Sequence, residues 1–173
     1  MKKHLSLYLL PFFSIILWGC PYESKIPLSS PAERVNTHLL GKWESEDEVY
    51  NSYIISPANL YEYTIVQKTS IGETHKYKGF ITRIRGGYFL NAFSDSTKTY
   101  HLYRLKIDSV RNEVTVMPFA KDIATRFTDF PKAIGDTQAL HDFVWRNMNL
   151  RDFYDVEDQS VFKLVNSGAS QAR

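Results

Sequence analysis

Between residues 52 and 119 the chain repeats one unit: a short β-branched and aromatic run closed by a polar or glycine turn. "SYIIS" (52–56) is closed by Pro57-Ala58-Asn59. "LYEYTIVQ" (60–67) alternates, with Tyr61, Tyr63 and Ile65 on one face and Glu62, Thr64 and Val66 on the other. "HKYKGFITRI" (75–84) follows a turn containing Gly72, and "GYFLNAF" (87–93) follows Arg85-Gly86-Gly87, a compact hairpin signal. "TYHLYRLKID" (99–108) sets His101, Tyr103, Leu105 and Ile107 on one face, and "EVTVMPF" (113–119) follows one further polar turn. Strands recurring every ~8–14 residues with tight turns make a mainly β fold, either a small antiparallel up-and-down barrel or a sandwich.

The chain changes character after residue 131. Pro131 and Gly135 fence off "DTQALHDFVWRNMN", with Asp136 or Thr137 as the N-cap. Leu140, Phe143, Val144 and Met148 then recur at helical spacing, which predicts a helix over 137–149. "SVFKLV" (160–165) is a last strand, placed to pair back with the first ones and leave no exposed edge. One C-terminal helix before the last strand completes the expected order. The β domain is expected over 37–166, and "SGASQAR" at the end as a frayed tail over 167–173.

The N-terminus reads as an address. Lys2 and Lys3 precede an apolar run of about 14 residues, Leu5 to Trp18, too short for a membrane-spanning helix of about 20 residues. The run stops at Gly19-Cys20, and the composition turns at once to proline, serine and charge. Residues 1–19 match a secretory signal peptide, and "PYESKIPLSSPAERVN" after Cys20 a lipid-anchored tether over 20–36. Cys20 is the only cysteine, so no intrachain disulfide and no cysteine metal site can form. Loss of Lys2 and Lys3 with the signal leaves 19 basic against 19 acidic residues, a balance that argues against a nucleic-acid partner.

Leu17-Trp18-Gly19-Cys20 resembles the lipobox of bacterial lipoproteins, with Trp18 where a small residue is usual. The resemblance implies cleavage before Cys20 and acylation of its thiol, palmitate among the chains, with membrane contact through that lipid. Pro21 stands where an Asp would retain a lipoprotein at the inner membrane, and no acidic run follows Cys20. The implied address is the cell outer membrane, on its periplasmic side.

Leu40, Gly41 and Trp43 in "LLGKWESEDE" (39–48) resemble the Gly-x-Trp opening of lipocalins and the wider calycin group. That likeness implies a barrel whose first strand bends at Gly41 and whose closed end is plugged by Trp43. It also implies an arginine over the tryptophan, for which Arg104 and Arg126 are the candidates.

No constellation carries catalysis. His4, His38, His75, His101 and His141 are dispersed without HxH or HExxH spacing, and there is no GxSxG elbow or phosphate-binding glycine loop. "ESEDE" (44–48) alternates across a strand and reads as a solvated face rather than a cation site. The expectation is a non-enzymatic protein without metal or cofactor. Two functions fit it. In one, an aromatic interior formed by Tyr61, Tyr63, Tyr77, Phe89, Phe93 and Tyr103 binds a small apolar or amphipathic ligand. In the other, the same side chains fill the core, and the protein serves as an interaction or scaffold lipoprotein through its surface with an envelope protein. Eight-strand barrels can be packed solid, so a filled interior is the first expectation; a cavity of a few hundred Å³ would favour the carrier.

Overall fold

The computed structural model describes residues 22–45, 51–132 and 135–166. The signal, Cys20, Glu46–Glu48 of the acidic run and the C-terminal tail lie outside the described residues.

An eight-strand antiparallel barrel forms the body. A two-residue strand, β1 (Glu23–Ser24), precedes it. The barrel strands are β2 (Gly41–Ser45), β3 (Ser52–Pro57), β4 (Tyr63–Lys68), β5 (Thr74–Ile84), β6 (Gly87–Ser94), β7 (Thr99–Asp108), β8 (Glu113–Pro118) and β9 (Ser160–Asn166). Each pairs with its sequence neighbour, and β9 pairs with β2 to close the ring. Closure leaves no free edge along the ring. The barrel alternative is therefore the observed one, and the sandwich is not.

Local chemistry sets the turns. Arg85 and Gly86 both have positive φ, 49° and 80°, and link β5 to β6 as a two-residue hairpin with Ile84 opposite Gly87. Strand β4 starts at Tyr63 rather than at Leu60. The Asn59 side-chain oxygen accepts from the N–H groups of Tyr61 (2.8 Å) and Glu62 (3.0 Å), which holds 59–62 as a turn.

The long connection between β8 and β9 carries a short helix, α1 (Ile123–Arg126), that the sequence pattern did not suggest, and α2 (Thr137–Asn147). Asp136 caps α2, its carboxylate accepting from the Ala139 N–H at 2.9 Å. Leu140, Phe143, Val144 and Met148 are buried, and all four pack against the outside of the barrel wall. They meet Ile84, Phe89, Leu102, Met117 and Phe119 in a core distinct from the one inside the barrel. The helix covers the barrel from outside, as its narrow apolar stripe requires. Trp145 stands half-exposed with the Arg85 guanidinium 4.6 Å from its ring.

The segment read as a tether lies against this same wall. Strand β1 pairs with the first part of β7, at Tyr100 and His101, where β8 does not reach. Leu28 is fully buried, and its N–H donates to the Asn91 side-chain oxygen at 2.8 Å. The Asn91 amide donates in turn to Thr82 Oγ1 (2.9 Å), which shares a hydrogen bond with Ser29 Oγ (2.7 Å). Prolines and serines do prevent a long regular element here, yet they do not keep the segment off the domain. Asn91→Leu removes every partner of the buried Leu28 N–H. It should cost about 1–3 kcal/mol, the penalty for an orphaned buried donor. Urea unfolding reads the loss, and an unchanged midpoint would show that this staple holds nothing.

Candidate functional site

The barrel interior is not filled. It encloses a cavity of about 690 Å³, within the size range of small-molecule sites. The expectation of a solid interior is therefore corrected. The physical reason is that the bulk aromatics on the outer faces of β6 and β7 build the second core under α2, and are not available to fill the barrel.

The strand registers orient the cavity. Its floor lies at the start of β2, where Leu39, Trp43 and Tyr63 are buried together. The indole N–H of Trp43 donates to the Leu39 carbonyl at 2.9 Å, and the Tyr63 hydroxyl accepts from the Asn36 N–H at 2.7 Å. Both bonds seat the 3-10 turn Thr37–Leu39 under the barrel. The wall is aliphatic, with Ile65, Ile81, Leu90, Leu105 and Val114, and closes with Phe162 on β9. The opposite end is lined by Asn51, Gln67, Tyr77 and the run Glu157 to Ser160 that leads into β9. A polar belt sits below that mouth. The Gln67 amide donates to the Tyr53 hydroxyl (3.0 Å), and the Tyr77 hydroxyl donates to the Gln67 carbonyl (3.3 Å). Burial pushes the Tyr63 and Tyr77 phenols above their ordinary pKa, so both are neutral at physiological pH.

The sequence-derived site residues divide evenly. Tyr63, Tyr77 and Tyr103 line the cavity. Tyr61 does not: it belongs to the Asn59 turn and is exposed. Phe89 is fully buried on the outer face of β6, edge-on to Phe119 at 6.1 Å. Phe93 shares that outer face and packs on Tyr100 at 5.0 Å. Strand alternation forces this outcome, since Leu90 and Ala92 take the inward positions. Neither arginine offered for the tryptophan packs on it. Arg104 donates to the Met148 carbonyl (2.7 Å) at the end of α2, and Arg126 to the Asp152 carbonyl (2.7 Å). Beside Arg104, burial pushes the Tyr154 phenol up to about 12 despite the neighbouring guanidinium.

His101 points inward above Tyr103, edge-on to the Tyr77 ring at 6.0 Å. Its Nδ1 is buried and has no hydrogen-bond partner among the described residues. Burial lowers its pKa below 6.5, opposed by the charge of Glu23 on the paired β1. A base with a depressed folded pKa binds its proton more readily when unfolded. Its effect on stability is nil above pH 6.5 and becomes a loss as pH falls through that value toward the folded pKa. The unfolding midpoint should therefore drop more between about pH 7 and about pH 5 in wild type than in His101→Gln, where this titration is absent. Parallel pH profiles would contradict the assignment.

Among the described residues no cluster of three or more His, Cys, Asp or Glu is arranged to hold a metal, and no helix is long and apolar enough to cross a membrane. No family model matches the chain, and no solved structure matches it. Protein FAM227B of Homo sapiens is 23% identical to it over 151 residues, 85% of this chain and 27% of that protein. The chain spans about a quarter of that relative's length, and identity at this level assigns neither family nor activity.

Proposed function

We propose that this protein is a non-enzymatic carrier, a lipocalin-like barrel that binds a small apolar or amphipathic ligand and is held at a bacterial cell envelope by acylated Cys20. The cavity of about 690 Å³ carries the binding part of the reading. It is apolar at the floor and wall and polar at one end, the arrangement that suits a ligand entering tail first. The scaffold alternative rested on a filled interior, and the cavity favours the carrier over it.

The test is saturable binding of a neutral phenylnaphthylamine dye, whose fluorescence rises in apolar surroundings. One dye per chain is the expected stoichiometry, with energy transfer from Trp43, which lines the cavity. Non-saturable fluorescence would contradict the carrier.

The anchoring part rests on Leu17-Trp18-Gly19-Cys20 after the basic start and apolar run. The outer membrane, facing the periplasm, is the proposed address. In a bacterial host the wild-type chain should fractionate with membranes and incorporate labelled palmitate, and Cys20→Ser should lose the label. An unlabelled wild type, or a labelled Cys20→Ser, would overturn this part and leave the cavity reading intact.

A further inference from the structure

The chain is fixed to the barrel almost as soon as Cys20 is passed. The Tyr22 N–H donates to the Phe119 carbonyl at 3.3 Å, and the Tyr22 ring stands edge-on to Phe130 at 5.7 Å. Strand β1 then pairs with β7, and Leu28 is fully buried beyond it. Two Cα–Cα steps separate Tyr22 from Cys20, a reach of at most about 7 Å. An acyl group on Cys20 is therefore attached beside one place on the outer wall of the barrel. The segments that meet at that place are 22–28 and 119–132, and three of their lysines are unmatched. Arg126 pairs with Asp122 at 2.6 Å, and Asp129 is held by Arg146 at 3.3 Å. Glu23 accepts from the Thr99 hydroxyl at 3.1 Å. Lys25, Lys121 and Lys132 are exposed and form no ion pair among the described residues.

We propose that the acylated protein lies with this wall against the bilayer, and that Lys25, Lys121 and Lys132 meet the headgroups of anionic phospholipid there. The proposal rests on the acylation of Cys20 proposed above and is independent of ligand binding. Attraction of a lysine to an anionic surface fades within a Debye length, about 8 Å at physiological ionic strength. A flexible tether over 20–36 would let the domain stand off by about 20 Å, beyond that range. Attachment at Tyr22 keeps the three lysines inside it. Long lysine side chains also reach toward headgroups while their stems lie along the protein. The barrel is then held side-on, and its mouth opens along the membrane surface rather than away from it.

The experiment compares the acylated wild type with a variant carrying about twenty Gly and Ser residues between Pro21 and Tyr22. The insertion leaves the docked segment intact and changes only its distance from the lipid. Both proteins are placed in phosphatidylglycerol vesicles, and acetylation of each lysine by a water-soluble reagent is followed by mass spectrometry. Lys25, Lys121 and Lys132 should react about three- to tenfold more slowly in wild type than in the variant, because headgroups cover them. Lys42 and Lys68 should react alike in both proteins. They lie on β2 and β4, which flank β3, and β3 stands four strands from β7 either way round the ring. Phosphatidylcholine vesicles should reduce the protection. Equal rates in the two proteins, or protection undiminished on phosphatidylcholine, would overturn the proposal and leave the anchor standing. A wild-type chain that takes no palmitate would overturn both.

Discussion

Trp43→Ala lowers the unfolding free energy by about 3–5 kcal/mol, the range for truncating a large buried aromatic. Trp43 is 3% exposed and packs with Leu39 and Tyr63 at the floor of the barrel. Its removal deletes a large buried aromatic there and extends a cavity that already exists. It also frees the Leu39 carbonyl, which accepts the indole N–H at 2.9 Å. Trp43→Phe separates the two effects. It keeps most of the ring and should cost about 1 kcal/mol for the lost hydrogen bond, plus whatever the smaller ring fails to fill. Chemical denaturation measures both. A midpoint unmoved by Trp43→Ala would make this side chain peripheral and remove the floor.

Phe143→Ala should be nearly as costly, about 3–5 kcal/mol, for a different reason. Phe143 is fully buried in the outer core and is ringed by Phe130 (5.1 Å), Phe153 (5.5 Å) and Phe127 (5.7 Å). This cluster holds α2 and its flanking segments to the barrel wall and has no side chain in the cavity. The folded variant should thus bind the dye with wild-type affinity. A variant that keeps its stability and loses the dye would make α2 a lid and move the site to the covered end of the barrel.

The two cores explain what could be read from the chain and what could not. Alternation in "YTIVQ" and "YHLYRLKI", with punctuation by Asn59, Gly86 and Asn112, was enough to place most of the strands. The stripe Leu140, Phe143, Val144 and Met148 was enough for the helix and for the face it buries. "GYFLNAF" was ambiguous because both of its faces are apolar: one looks into the barrel, the other onto α2. Its aromatics take the outward parity, not the inward one that their size suggests. The correction was within reach, since a two-residue hairpin at Arg85-Gly86 sets Ile81 opposite Leu90 and Tyr77 opposite Ser94. With Tyr77 inward, Leu90 and Ala92 follow, and Phe89 and Phe93 are excluded. Gln67 could have been found the same way, two residues on from Ile65.

The docked segment 22–31 had a weaker signal. Tyr22, Ile26 and Leu28 alone mark it as more than solvated chain, and the residue that holds it, Asn91, lies far away in sequence. The cavity itself had no local signal. Whether inward side chains meet across a barrel depends on how much bulk the opposite faces withhold, and that is a sum over every strand.

The most direct measurement fills the cavity and leaves its walls alone. Ala92 is a small lining residue on β6, flanked across the strands by Gly79 and His101. Ala92→Trp should place an indole in the void, keep the barrel folded with a midpoint at or near that of wild type, and abolish saturable dye binding. Undiminished dye binding by a folded Ala92→Trp chain would contradict the account, because the ligand would then sit somewhere other than the interior of the barrel.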